Sequence, residues 1–394
     1  MKIHKNILVD FFSIFFILGF PKIPVLGVPL ALFILPFFLT ELMFFFRKLF
    51  FPMTLYFNVI IIFSMVGLIS WSMGEGNGKD ILFLLVITSK ILMDFVFGII
   101  LFIILNRSLS LLKAWIIIQS IFIVMSTVSY DFYIFLVSFI SPGASEVFSK
   151  IFSLKAIGFG IYHVSGAIIY LFAVIYYFMS STSPFYKRKD YKIFILSIFS
   201  MFVSRISMVV IIFYGVICKL RYVFCIIALL FFAALLFDSG VVFRLTEPFR
   251  NFIISGSFSS ESTTQNIGMF IFPSTLKEWL IGAGCFYEKG EILTFYRGTD
   301  LGVSRISLFG GMFFLLLFFW VNTYWSIWYL FFCSHGKKDG DFRKNLILTM
   351  VILFSYVFIM FKDIAFISVF GVFPALSWVL DNKSYKGEGV VNGY

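Results

Sequence analysis

Charge is what this sequence has least of. Only 13% of its 394 residues are Asp, Glu, Lys or Arg, while 61% are hydrophobic, a balance that excludes a pair of ordinary soluble domains. Cysteine is scarce as well. Cys218, Cys225, Cys285 and Cys333 show no CxxC spacing, so neither a disulfide framework nor a zinc site is expected. There are three histidines and no His/Cys/Asp/Glu set with metal-ligand spacing. A phosphate-binding GxxxxGK[ST] loop and a GxSxG nucleophile elbow are both missing. No metal and no cofactor are expected from these residues.

What is present is hydrocarbon. Apolar runs long enough to span a bilayer recur along the chain, and the 59 Phe residues are spread over all of them as lipid-facing and packing filler. The net charge of +11 would point to nucleic acid in a soluble protein. In a membrane protein cations collect on cytoplasmic loops instead, so no nucleic-acid partner is expected. The opening Met1-Lys2-Ile3-His4-Lys5 and its apolar run resemble a signal peptide. The following Pro21-Lys22-Ile23-Pro24 is no small-x-small cleavage site, so the run is read as an uncleaved first span.

The apolar-length rule places twelve spans, at about 7–20, 25–45, 53–72, 80–105, 114–129, 161–179, 193–204, 206–218, 222–237, 306–332, 346–361 and 365–380. Charge orients them. With the N-terminus inside, the short inside loops carry Arg47-Lys48, Arg107 with Lys113, Lys187-Arg188-Lys189, Lys219 with Arg221, and Lys337-Lys338 with Arg343-Lys344. Outside turns 73–79 and 362–364 carry one cation each, as the positive-inside rule requires. Two spans separated at Ser204-Arg205 are what bring Lys219 and Arg221 inside. The expectation is an all-α polytopic protein, one integral membrane domain over residues 1–394, with both termini cytoplasmic. Two long polar loops, 130–160 and 238–305, then face the outside, which is the periplasm of a bacterial inner membrane. The tail beyond Leu380 is expected to be disordered.

Chemistry has to come from those loops and the helix ends beside them. Arg205 lies between two apolar runs, where a guanidinium serves either as a snorkelling anchor or as a paired-donor contact to a lipid phosphate. Lys90 and Asp94, four apart in one span, suit mutual neutralisation. Lys155-Ala156-Ile157-Gly158-Phe159-Gly160 closes the first loop, with His163 at the next helix start, and the segment 133–152 reads as one lying on the membrane surface. In the large loop Arg244 and Arg250 flank Glu247, and Arg297 and Arg305 flank Asp300. Solvated ion pairs explain both sets as readily as a ligand site does. Further along the same loop Glu278-Trp279-Leu280-Ile281-Gly282-Ala283-Gly284 precedes Thr299-Asp300-Leu301-Gly302-Val303-Ser304-Arg305 and Gly310-Gly311.

From Lys155 onward this pattern resembles the O-antigen polymerases of the Wzy type, within the polymerases and ligases of lipid-linked glycans. The resemblance rests on the cationic-x-x-Gly-Phe loop at Lys155–Phe159, Ser204-Arg205 between two spans, and a long external loop. Its most specific part is Leu280–Gly284 with Asp300-x-Gly302-x-x-Arg305 and the glycine-rich helix start at Gly310-Gly311. Lys155 stands where the family often carries Arg, which replaces paired donors by a point charge.

The resemblance implies a glycosyltransferase of the GT-C type that needs no nucleotide sugar and no metal. It would move a glycan from undecaprenyl diphosphate to the non-reducing end of another lipid-linked repeat unit, at the periplasmic face. A chain-length regulator protein and the lipid bilayer are the implied partners. Arg205, with Arg305 or Arg250, would stabilise the departing diphosphate and Asp300 would serve as base. Arg250, Arg244, Lys155, His163, Glu278 and Arg297 would bind substrate, with Glu278 and His163 as second choices of base. Two alternatives share parts of the pattern. An O-antigen ligase would use the same donor and pass the glycan to lipid A-core. A flippase for lipid-linked oligosaccharides would have a similar number of spans but short external loops.

Overall fold

The computed structural model describes residues 7–24, 26–140, 142–152, 154–180, 191–218, 227–229, 232–233, 236, 240–257, 260, 264, 268–288, 295–333, 340–362, 364 and 368–385. These are helical almost throughout. In chain order come α1 (Ile7–Leu18), a 3-10 segment (Leu30–Phe38) that runs into α2 (Leu39–Lys48), α3 (Phe50–Met73), α4 (Gly78–Arg107) and α5 (Leu109–Val128). Then follow α6 (Tyr130–Val137), α7 (Pro142–Ser149), α8 (His163–Ser180), α9 (Tyr191–Ile195), α10 (Ile198–Val203) and α11 (Ile206–Ile217). The last are α12 (Gly240–Ser255), α13 (Leu276–Ile281), α14 (Gly302–Trp328), α15 (Gly340–Met360) and α16 (Phe373–Tyr385).

Seven described helices are long and apolar enough to cross a membrane: those over 30–48, 50–73, 78–107, 109–128, 163–180, 302–331 and 342–360. Three shorter apolar helices, Ile7–Leu18, Lys192–Val203 and Ile206–Ile217, fall where spans are expected. The expected span at 222–237 lies largely outside the described residues. So do the cations Lys187, Arg188, Lys189, Lys219, Arg221, Lys337 and Lys338, and the loop residues Glu261, Lys289 and Glu291. At the end of the chain α16 continues past Leu380 to Tyr385, five residues into the tail expected to be disordered. Lys386 onward is outside the described residues.

The chain, read from its sequence as one membrane domain, packs as two compact units. One comprises Met1–Glu41 and Ile100–Ser260, the other Leu42–Ile99 and Glu261–Gly393. The large loop 238–305 is therefore shared out, α12 going to the first unit and 268–301 to the second. Each unit has one central helix. The span windows of α8 and α14 are 72% buried, against 28% for α3. A helix apolar all round belongs in such a core. In α8 nearly every side chain from Val164 to Phe178 is buried.

The first long loop has packing of its own. α6 and α7 close over a small apolar core of Tyr133, Leu136, Val137, Ile140, Phe148 and Ile157, and the Tyr133 hydroxyl donates to the Phe148 carbonyl at 2.9 Å. The irregular stretch after it is satisfied by two buried polar side chains of α5. Gln119 accepts from Phe159 N–H at 3.0 Å and returns a bond to its carbonyl at 3.2 Å. Ser126 accepts from Ile157 N–H at 3.0 Å. Backbone without helix or sheet partners is stable at depth only when groups like these replace water.

Candidate functional site

The two units each gather part of the expected set. In the first, the break between α10 and α11 sets the geometry. Ser204 is extended (φ −152°, ψ 128°) and Arg205 stands at the head of α11. α12 buries Val241, Leu245, Thr246 and Phe249, a helical stripe that turns Glu247 toward Arg205. Their Nη1 and Oε2 are 3.0 Å apart, with both side chains mostly buried. Arg244, one turn earlier, donates to the Leu154 carbonyl at 3.3 Å, next to Lys155. Burial pulls the Arg244 guanidinium below its ordinary pKa and the charge of Arg205 adds to this, with Glu247 opposing both. Arg244 thus lies within electrostatic reach of both members of the Arg205–Glu247 pair.

Of the other residues expected here, Lys155 lies 5.5 Å over the Phe148 ring and Arg250 lies 5.4 Å over the Phe243 ring. His163 opens α8 in a left-handed conformation (φ 60°), a region where His is enriched several-fold among non-glycine residues. The acid between Arg244 and Arg250 in the sequence is therefore engaged by Arg205, a residue 42 positions away.

In the second unit residues 268–288 and 295–301 form a cap on the α3–α4 turn and on the first third of α14. The glycine motif is what lets backbone lie on backbone. Ala283 and Gly284 donate N–H bonds to the Leu308 and Phe309 carbonyls at 2.7 and 3.0 Å, and Glu75 N–H donates to the Ala283 carbonyl at 2.9 Å. Gly282 has φ 82°, and a Cβ there would meet the Phe309 carbonyl. Gly311 has φ 75° and kinks α14, and a Cβ there would come within 2.6 Å of the Leu280 carbonyl. Glycine is the residue that combines positive φ with such an approach.

Asp80 locks this cap. It is fully buried in the first turn of α4 and accepts three backbone N–H bonds, from Asn77 at 2.8 Å, Phe286 at 2.7 Å and Tyr287 at 3.1 Å. Asn77 in turn accepts from Lys79 N–H at 2.8 Å, completing a reciprocal helix cap. The Phe286 ring, so placed, is one wall of a corner that holds Arg305, the Phe295 ring standing at 77° to it. The Arg305 guanidinium carbon lies 4.6 Å from the Phe286 centroid and 3.6 Å from that of Phe295, a cation–π arrangement on both. Arg305 is 9% exposed, and its Nη1 is 3.6 Å from Oδ1 of Asp300, whose own side chain is 60% exposed.

Glu278 and Arg297 pair with each other across the same cap, Oε1 to Nη2 at 2.6 Å. Thr275 caps α13 by accepting from Glu278 N–H, and Glu278 Oε2 accepts from the Ser274 N–H at 2.8 Å and hydroxyl at 3.1 Å. Burial works to raise the Glu278 carboxyl, but these bonds and Arg297 outweigh it and hold its pKa below the ordinary carboxylate value. Burial likewise works to lower Arg297, and its bonds to Glu278 and Tyr296 win, raising it. Glu278 is thus a fixed anion serving Arg297, a poor state for a base. Arg297 has a left-handed backbone (φ 56°) and its N–H donates to Glu288 at 2.6 Å. Its acid is Glu278, where the sequence suggests Asp300.

Asp80 and Gln119 are the residues that sequence reasoning passed over. Asn77-x-x-Asp80 carries a helix-start signal, and a Gln inside an apolar run is itself a signal. Among the described residues no three His, Cys, Asp or Glu side chains come together to hold a metal ion. No protein-family model, curated protein or solved structure matches the chain.

Proposed function

We propose that this chain is a membrane glycosyltransferase that polymerises lipid-linked glycan repeat units. The observation that carries the reading is Arg305, a buried guanidinium set in the corner of two phenyl rings at the head of a membrane-length helix, with the exposed carboxylate of Asp300 beside it. A cation fixed in this way is suited to charge that develops during reaction on a lipid diphosphate, because its placement needs no reorganisation. The resemblance of Leu280–Gly284 and Asp300–Arg305 to the O-antigen polymerases points to the same chemistry. In the first unit Arg205, paired with Glu247, and Arg244 within electrostatic reach of that pair are a second place where anionic phosphate would be favoured.

In this reading the acceptor hydroxyl oxygen attacks C1 of the donor sugar. The C1–O bond to diphosphate breaks, its electron pair leaves with the diphosphate oxygen, and the hydroxyl proton passes to Asp300. The sugar becomes oxocarbenium-like as negative charge builds on the leaving group, and the Arg305 guanidinium offsets that charge. Losing one such donor costs about 2.7–4 kcal/mol of barrier, on the order of a 100–1,000-fold slower transfer.

Arg305→Lys tests it. Lysine keeps a charge at the helix head but loses the planar paired donors. The expected result is strongly reduced polymer at unchanged protein level in the membrane, with a milder loss in Arg297→Lys. Wild-type chain lengths from Arg305→Lys would remove Arg305 from the chemistry.

A further inference from the structure

The cap of the second unit carries an apolar rim that the catalytic reading leaves unused. In α13 Leu276 is 76% and Leu280 63% exposed, and Phe270, Phe272, Trp279 and Phe361 are also exposed large hydrophobics. Their arrangement is ordered. The rings of Phe272 and Trp279 stack with centroids 6.1 Å apart and planes 8° off parallel, and Phe270 meets Phe361 at 5.9 Å. Contiguous exposed apolar surface of this kind marks a contact with something.

We infer that residues 270–280 lie in the bilayer, with Leu276, Trp279 and Leu280 immersed at the boundary between headgroups and acyl chains. Three observations select lipid as the occupant. First, the rim continues the outer face of a membrane-length helix. Met65, Leu68, Ile69 and Met73 of α3 are exposed, and the Lys277 ammonium donates to the Met73 carbonyl at 3.4 Å, which sets α13 at the end of that face. Second, the charged groups of α13 are engaged by the protein itself. The Lys277 ammonium is on the Met73 carbonyl, and Glu278 is held by Ser274 and Arg297. Third, the aromatic content is that of an interface. Trp279 shares this end of the unit with Trp71, whose indole N–H donates to the Asn77 carbonyl at 2.8 Å, and amphipathic rings of this kind collect at headgroup level. A short helix with such a division lies along the membrane plane. Residues 268–288 and 295–301, expected to belong to a long external loop, would then be a membrane-seated cap. Glu278 and Arg297 would stand at the depth of lipid phosphates whichever reaction the protein performs.

The test uses the full chain in lipid nanodiscs, with the four native cysteines replaced by serine and a fluorophore on a single new cysteine. Leu276→Cys and Leu280→Cys report the rim, and Lys79→Cys, at an exposed residue in the first turn of α4, reports solvent. Lipids brominated near the headgroup end of the acyl chain should quench the label at both rim positions and leave Lys79→Cys bright, with aqueous iodide doing the reverse. Iodide quenching at the rim would overturn the inference in favour of a solvated loop. Resistance to both quenchers would overturn it in favour of a protein partner covering the rim. Agreement between the two rim positions guards against a local disturbance at either one.

Discussion

Replacing Asp80 by alanine should open the cap of the second unit. The wild-type carboxylate satisfies three backbone N–H groups, two of them in the Phe286–Tyr287 segment that backs Arg305. A buried donor left unsatisfied costs about 1–3 kcal/mol, and water will reach the Asn77 N–H at the helix end more readily than the Phe286 N–H. Counting Phe286 in full and the other two in part gives about 3–4 kcal/mol lost from the closed form. At about 1.4 kcal/mol per factor of ten, the open population rises on the order of 100- to 1,000-fold. The chain supplies its own reporter in Cys285, a cysteine outside any disulfide, 2% exposed and adjacent to Phe286. With the other three cysteines replaced by serine, maleimide labelling of Cys285 is rare in the wild type and follows the open fraction. Asp80→Ala should raise the labelling rate by that factor. Asp80→Asn, whose amide oxygen still accepts from Phe286 and Tyr287, should fall between. A rise of less than about tenfold in Asp80→Ala would refute the latch, since one lost buried bond alone accounts for that much.

Two further outcomes follow from the same cap. Gly282→Ala forces a side chain into positive φ against the Phe309 carbonyl, so membrane-extracted protein should melt lower by about 1–3 kcal/mol of stability, whereas Gly298→Ala, with open space around it, should show only the cost of its positive φ. Glu278 has a pKa depressed on folding, so its contribution is present above the ordinary carboxylate value of 4.5 and is lost as pH falls through the folded value. The difference in melting temperature between wild type and Glu278→Gln should therefore be full near about pH 6 and shrink as the pH is taken below the ordinary carboxylate value, and a difference independent of pH would contradict the pairing.

The parts legible in the sequence are those written in local pattern. Apolar length marked the membrane-length helices, and Ser204-Arg205 between two apolar runs marked the break that frees α11 from α10. What stayed hidden is held by distance along the chain. Asp80 meets Phe286 across 206 positions, and no window containing the α4 cap includes the strand of loop that it holds. Charge adjacency misled in the same way. Asp300 lies three residues from Arg297, but the backbone turns left-handed at Arg297 and sends its guanidinium to Glu278. The glycine motif of Leu280–Gly284 was visible as a motif, and its physical content, close contact between backbones, needed the carbonyls of Leu308 and Phe309 to be placed.

The most direct test of the central claim is the lipopolysaccharide of a strain in which this gene alone is deleted. A polymerase defect leaves ligation of single units intact, so the account predicts core carrying one repeat unit, with the polymer ladder restored by the wild-type gene. Bare core without any repeat unit would contradict it and place the protein at transport or ligation instead.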